Sequence, residues 1–201
     1  MQVKEKLLNV CFGLNLIYWG IAGFFYHYED FQTSYVRLFI TFLNISVGLL
    51  IIFRKPVKNS GTLHSILISL PSLISGGLLF KLSKPLFLWN HISQTLFIVG
   101  GSITLISFFF LGRSFSIFPR LRGIVSKGLY QIVRHPAYLG EFTMLTACLI
   151  AANSYLSWIP FLIFIPGIVL RIREEESILV ADQAYVKYQQ KVQWRLIPYI
   201  W

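Results

Sequence analysis

An all-α integral membrane protein, with four transmembrane helices followed by a C-terminal helical hairpin, is the fold class this sequence predicts. Three observations carry that expectation. Hydrophobic residues make up 55% of the 201 positions and charged residues only 13%. Mean hydropathy is +0.64, far above that of ordinary soluble domains. Apolar runs of roughly twenty residues, the length needed to cross a hydrocarbon core about 30 Å thick, recur along the first half of the chain.

Taken in order, the spans run from Leu7 to Tyr26, Tyr35 to Phe53, Leu63 to Phe80 and Ile92 to Leu111. The first has no small-residue cleavage site and is long enough to be a retained span rather than a signal peptide. Two shorter apolar runs follow, Tyr138 to Ala152 and Tyr155 to Leu170, separated only by Asn153 and Ser154. At about 1.5 Å per residue neither reaches comfortably across, so they read as a tilted or shallow hairpin, with Pro160 and Pro166 bending its second arm. Of the stretch after Leu170, the first twenty or so residues suit a single further helix, ending before Pro198.

The formal charge is +10, yet the basic residues form no single patch or arm of the kind that binds nucleic acid. They follow the spans instead. Lys4 and Lys6 precede the first; Arg54, Lys55 and Lys58 lie between the second and third; Arg113, Arg120, Arg122, Lys127 and Arg134 follow the fourth. Only Arg37, Lys81 and Lys84 fall on the other side, so the positive-inside rule places both termini in the cytoplasm of a multi-pass protein. Cys11 and Cys148 sit in apolar runs and behave there as small hydrophobes, with no disulfide framework expected. His27, His64, His91 and His135 are scattered without helical spacing, which gives a metal site little support.

The chain changes character near residue 112. Upstream, residues 1–111 hold the four spans and almost no chemistry; Asn15, Asn44, the serines and His64 suit helix packing. Downstream, residues 112–201 carry dense polar groups within one structural domain overall. There is no GxGxxG, Walker loop, HExxH, GxSxG or CxxC pair, so a Rossmann-type cofactor site is not expected. A cofactor would have to be met by helix ends and loops.

The segment GRSFSIFPRLRGIVSKGLYQIVRHPAYLGE, followed after the hairpin by RIREEE, YVKYQQKV and RLIP, resembles the isoprenylcysteine carboxyl methyltransferase and phospholipid methyltransferase superfamily of integral membrane enzymes. The resemblance covers Gly112 to Trp201. It implies an all-helical fold in which the loop before RHPxY and the helix carrying the glutamate pair close a cytoplasmic pocket for S-adenosylmethionine. Arg134, His135, Pro136, Tyr138 and Gly140 match RHPxYxG; Glu175 and Glu176 match the glutamate pair; Arg171 or Arg173 matches the basic residue upstream of it. Where many members carry a Phe-Gly pair after the glutamates, this chain reads SILVADQAY.

The chemistry of that cofactor distributes roles. Glu175 and Glu176 can accept from ribose hydroxyls or the ammonium, while His135 and Arg134 can donate to the carboxylate. Pro136 can open a helix whose N-terminus faces an anion, and Gly140 allows close approach. Arg113 and Ser114 of the loop, with Tyr130, Tyr138, Tyr185 and Tyr188, complete the expected cofactor contacts. Arg134, Arg173 and Glu141 are the candidate catalytic groups: arginines orient an ionised acceptor, and Glu141 offers a base where a proton must leave. The expected acceptor is lipophilic or lipidated and enters from the bilayer. Each residue also has a plainer reading: Arg134 as a snorkelling anchor, Arg171 with Glu175 and Arg173 with Glu176 as solvated pairs, and Trp201 as part of an aromatic belt. A membrane NADPH-dependent reductase of sterol-reductase-like architecture, or a non-catalytic adaptor, would share the same outline.

Overall fold

A computed structural model describes residues 2–26, 35–57, 59–60, 62–152 and 154–201. His27, Lys58 and Asn153, used above for spacing, charge and the hairpin turn, lie outside the described residues, as does the side chain of Lys4. Seven α-helices are described: α1 (Gln2–Tyr26), α2 (Tyr35–Ile52), α3 (Leu63–Leu82), α4 (His91–Leu111), α5 (Pro136–Ala151), α6 (Trp158–Leu179) and α7 (Gln183–Lys191). A two-residue antiparallel ladder joins β1 (Asn59–Ser60) to β2 (Arg120–Leu121), pairing Ser60 with Arg120.

Five helices, α1 to α4 and α6, are long and apolar enough to cross a membrane. The chain is a multi-pass integral membrane protein, and α6 corrects the expectation of a second arm too short to cross. Instead of stopping near Leu170, it runs on without a break through Arg171–Glu176 to Leu179. Charged side chains mark where a helix leaves an apolar environment, whereas the helix itself ends only where its backbone bonds end. That happens at Val180–Asp182, where the Asp182 carboxylate accepts from Ala184 N–H at 2.9 Å and starts α7. The stretch after Leu170 therefore belongs to two helices, not one. The first arm, α5, is the short apolar helix expected; Ala152, just past its end, pairs with Ser83 just past the end of α3.

The helices associate as three antiparallel pairs, α1 with α2, α3 with α6, and α4 with α5, and the α4–α5 contact is the most extensive. In lipid no apolar force drives helices together, so close approach falls to small residues. Along α3, Ser65, Ser69, Ser72 and Ser75 are buried, and Gly167 of α6 packs on the Ser72 backbone. Between α4 and α5, a Cβ added at Gly140 would collide with Thr104 Oγ1 and the Gly100 carbonyl. Gly140→Ala is therefore expected to destabilise the protein by about 1–3 kcal/mol through overpacking. Gly77→Ala, whose Cβ would meet open space, should be neutral or slightly stabilising. Thermal unfolding in detergent separates the two, and equal melting temperatures would remove the close contact from the account.

The main buried cluster lies among α3, α4, α5 and α6 and includes Leu79, Phe97, Leu145, Cys148, Phe164, Ile168 and Ile172. A smaller one gathers Tyr130, Tyr185, Tyr188 and Val192. The second cluster floors the site.

Candidate cofactor and acceptor site

Helix α4 stops at Gly112, whose φ of 48° is a conformation that other residues avoid. From there the chain crosses one end of the bundle as a strap, residues 112–135, held on both flanks. On one flank Lys55 N–H donates to the Arg113 carbonyl at 2.6 Å, and β2 pairs with β1. On the other, the N–H groups of Arg134 and His135 donate to the carbonyls of Trp194 and Arg195 at 2.9 and 2.8 Å. A 3-10 turn at Gly128–Gln131 buries Tyr130, and the Tyr188 hydroxyl donates to its carbonyl at 2.6 Å. Pro136 then opens α5 at its first position, where a missing N–H costs nothing.

Across from the strap stands the last turn and a half of α6. Successive residues of a helix point about 100° apart, so Glu175 and Glu176 cannot do the same thing. Residues four apart share a face, and Arg171 and Glu175 both line the cavity between α6 and the strap. The Glu175 carboxylate accepts from the Tyr138 hydroxyl at 2.6 Å. Glu176 turns inward instead. Its Oε1 lies 2.9 Å from Arg134 Nε and 3.2 Å from His135 Nε2, and accepts from the Tyr185 hydroxyl at 3.2 Å; its Oε2 accepts from Arg195 Nε at 2.8 Å. One buried carboxylate thus joins the strap, α6, α7 and the C-terminal segment.

The cavity, about 860 Å³ counting the open space at its mouth, is lined by strap residues including Ser114, Ser116, Arg120 and Val125, by Tyr130, Arg134, His135 and Tyr138, by Arg171, Glu175 and Leu179 of α6, and by Tyr185 and Tyr188 of α7. Of the residues singled out in the sequence, Ser114, Tyr130, Arg134, His135, Tyr138, Glu175, Tyr185 and Tyr188 are brought together on its walls. Six lie elsewhere. Pro136 and Gly140 are buried in α5 behind the wall, and Glu176 is the inward hub. Glu141 is half-buried and lies 3.5 Å from Arg171 Nη1. Arg113 is exposed and donates from Nε to the Phe53 carbonyl at 3.1 Å. Arg173 is exposed on the outer face of α6, because two residues along a helix turn it roughly 200° from Arg171.

Arg171 rather than Arg173 therefore stands on the cavity wall. It is 3% exposed, donates from Nη2 to the Ile117 carbonyl at 2.6 Å, and lies 4.7 Å over the Tyr138 ring. The i, i+4 spacing of Arg171 and Glu175 was the signal that marks them as one face. Arg195 and Arg120 carry no comparable local signal, since their places depend on chain that returns from far away in sequence. Burial raises the Tyr130, Tyr185 and Tyr188 phenols above their ordinary value, helped at Tyr185 by the negative charges of Glu176 and Glu175. All three remain hydrogen-bond donors at neutral pH.

A bundle of apolar helices enclosing a charged cavity at one end defines the class: a polytopic membrane protein with a recessed polar site. Its residues 93–181, from the first turn of α4 to just past the end of α6, match the model of the isoprenylcysteine carboxyl methyltransferase (ICMT) family. No curated protein matches the chain.

Proposed function

We propose that the protein is an S-adenosylmethionine-dependent methyltransferase acting on a lipophilic or lipidated acceptor. The observation that carries this reading is the meeting of Arg134 and His135 with Glu175 and Glu176 beside a cavity lined mostly by the family-matched segment. The residues present suit the cofactor. Glu175 has carboxylate lone pairs beyond the one that Tyr138 uses, facing the cavity, and Arg171 Nε is buried there without a partner. When bound, S-adenosylmethionine supplies a methyl group made electrophilic by its sulfonium.

The chain's own work is alignment and exclusion of water. Glu175 and Tyr138 hold the polar end of the cofactor. Arg134, His135 and Arg195 orient the wall through Glu176 and are positioning groups rather than direct participants. Arg171, with Glu141 behind it, is the cation best placed to hold an ionised acceptor, the role that the sequence assigned to Arg173. Residues 112–201 form the catalytic region and α1–α4 its support. Glu5 of α1, Arg54 after α2, β1 before α3 and the strap after α4 meet at one end, and this end gathers most of the basic residues. The positive-inside rule then sets it in the cytoplasm, with both termini on that side.

Calorimetry on detergent-solubilised protein tests the cofactor. S-adenosylhomocysteine is expected to bind in the micromolar range, roughly −8 kcal/mol, and NADPH to give no heat. The reverse result would replace this reading with that of a reductase, and silence towards both would point to an adaptor.

A further inference from the structure

The strap wall of the cavity carries a further set of polar groups to which the proposed function gives no partner. Ser114 and Ser116 come from the turn after α4, Arg120 comes from β2, and all three line the cavity. Among the described residues none of their side chains makes a hydrogen bond or an ion pair. The Ser116 hydroxyl oxygen is moreover fully buried.

Positive charge is in excess on this wall. Arg122, two residues on, has a fully buried side chain that reaches Glu5 at 2.9 Å and the Lys55 carbonyl. Arg54, at the end of α2, donates to the neutral Asn9 side chain. Among the described residues, Glu5 is the carboxylate that meets this group of arginines, and it pairs with Arg122. The crowding shows at Arg54, whose pKa is held down at about 10, first by burial and then by the charges of Arg122 and Arg120. The other arginines lining the cavity are matched, Arg134 by Glu176 and Arg171 by Glu141. Arg120 has no such match among the described residues.

A guanidinium and two hydroxyls presented to a cavity without an acceptor are suited to one kind of visitor. We propose that Arg120, Ser114 and Ser116 form a subsite for an anionic oxygen group, a carboxylate or a phosphate. The proposal rests on reading the cavity as a cofactor and acceptor site. Two molecules can bring that group: the amino-acid end of the cofactor, or the headgroup of an anionic lipid arriving from the bilayer.

The test compares wild type with Arg120→Gln, Arg120→Lys and, as a control, Lys127→Gln, whose exposed side chain does not line the cavity. Calorimetry uses S-adenosylhomocysteine and 5′-methylthioadenosine, which lacks the amino-acid end. Native mass spectrometry reads retention of phosphatidylglycerol over phosphatidylcholine. If the subsite holds the cofactor's carboxylate, Arg120→Gln weakens S-adenosylhomocysteine by about tenfold or more and leaves methylthioadenosine unchanged. If it holds a lipid headgroup, both nucleosides bind as in wild type and the preference for phosphatidylglycerol is lost. Arg120→Lys should retain part of either effect, and equal melting temperatures establish that the fold is intact. Arg120→Gln behaving like Lys127→Gln in every measurement overturns the subsite. Failure of the wild type to bind S-adenosylhomocysteine would instead overturn the methyltransferase reading, and the lipid measurement would still decide the subsite.

Discussion

Glu176→Gln is expected to destabilise the protein by about 3–5 kcal/mol, the cost of removing one member of a buried ion pair. The carboxylate is 7% exposed, and its four partners come from three places in the fold: Arg134 and His135 from the strap, Tyr185 from α7 and Arg195 from the C-terminal segment. Glutamine keeps the shape but leaves Arg134, itself 7% exposed at the side chain, with an uncompensated charge. Arg195 is 36% exposed, and water screens its share of the loss. The strap, α7 and the C-terminal segment should loosen together. The expected readout is a melting temperature in detergent lower by many degrees, with S-adenosylhomocysteine binding lost. An unchanged melt would show that Glu176 does not hold these elements together.

Glu175→Gln, the same chemical change one residue earlier, should have the opposite profile. Its side chain is 27% exposed and lines the cavity, and the Tyr138 hydroxyl can donate to a glutamine oxygen as well as to a carboxylate. Stability should therefore stay within about 0.5 kcal/mol of wild type, as for changes away from buried networks. The loss should appear in the ligand: a charged acceptor of hydrogen bonds is worth about 1.5–3 kcal/mol, so S-adenosylhomocysteine affinity should fall by roughly ten- to a hundredfold. If Glu175→Gln melted early and still bound the ligand, the division of labour between the two glutamates would be reversed.

Helices α1 to α4 were legible because each fills an apolar run of membrane-spanning length, and composition alone announces that. The boundary in α6 was not. Arg171 to Glu176 look like a departure from the membrane and hence a new element, but a helix does not end at charge, and α6 runs on to Leu179, nine residues past Leu170. The β1–β2 ladder joins two-residue strands across sixty residues of chain, too short for any period to register. Within the site, the resemblance named the strap motif and the glutamate pair as candidates, and the spacing of Arg171 and Glu175 implied a common face. Nothing local distinguished Arg171 from Arg173 as the one turned to the cavity.

By itself the sequence determined that this protein lives in a bilayer, and where its polar chemistry is concentrated, since hydropathy and side-chain charge are properties of residues taken in order. Which glutamate faces the cavity, which arginine is neutralised and which is left over depended on the tertiary structure. Those properties arise only when a strap, two helix ends and a returning C-terminal segment share one space, because burial and pairing belong to neighbours in space and not to neighbours in sequence.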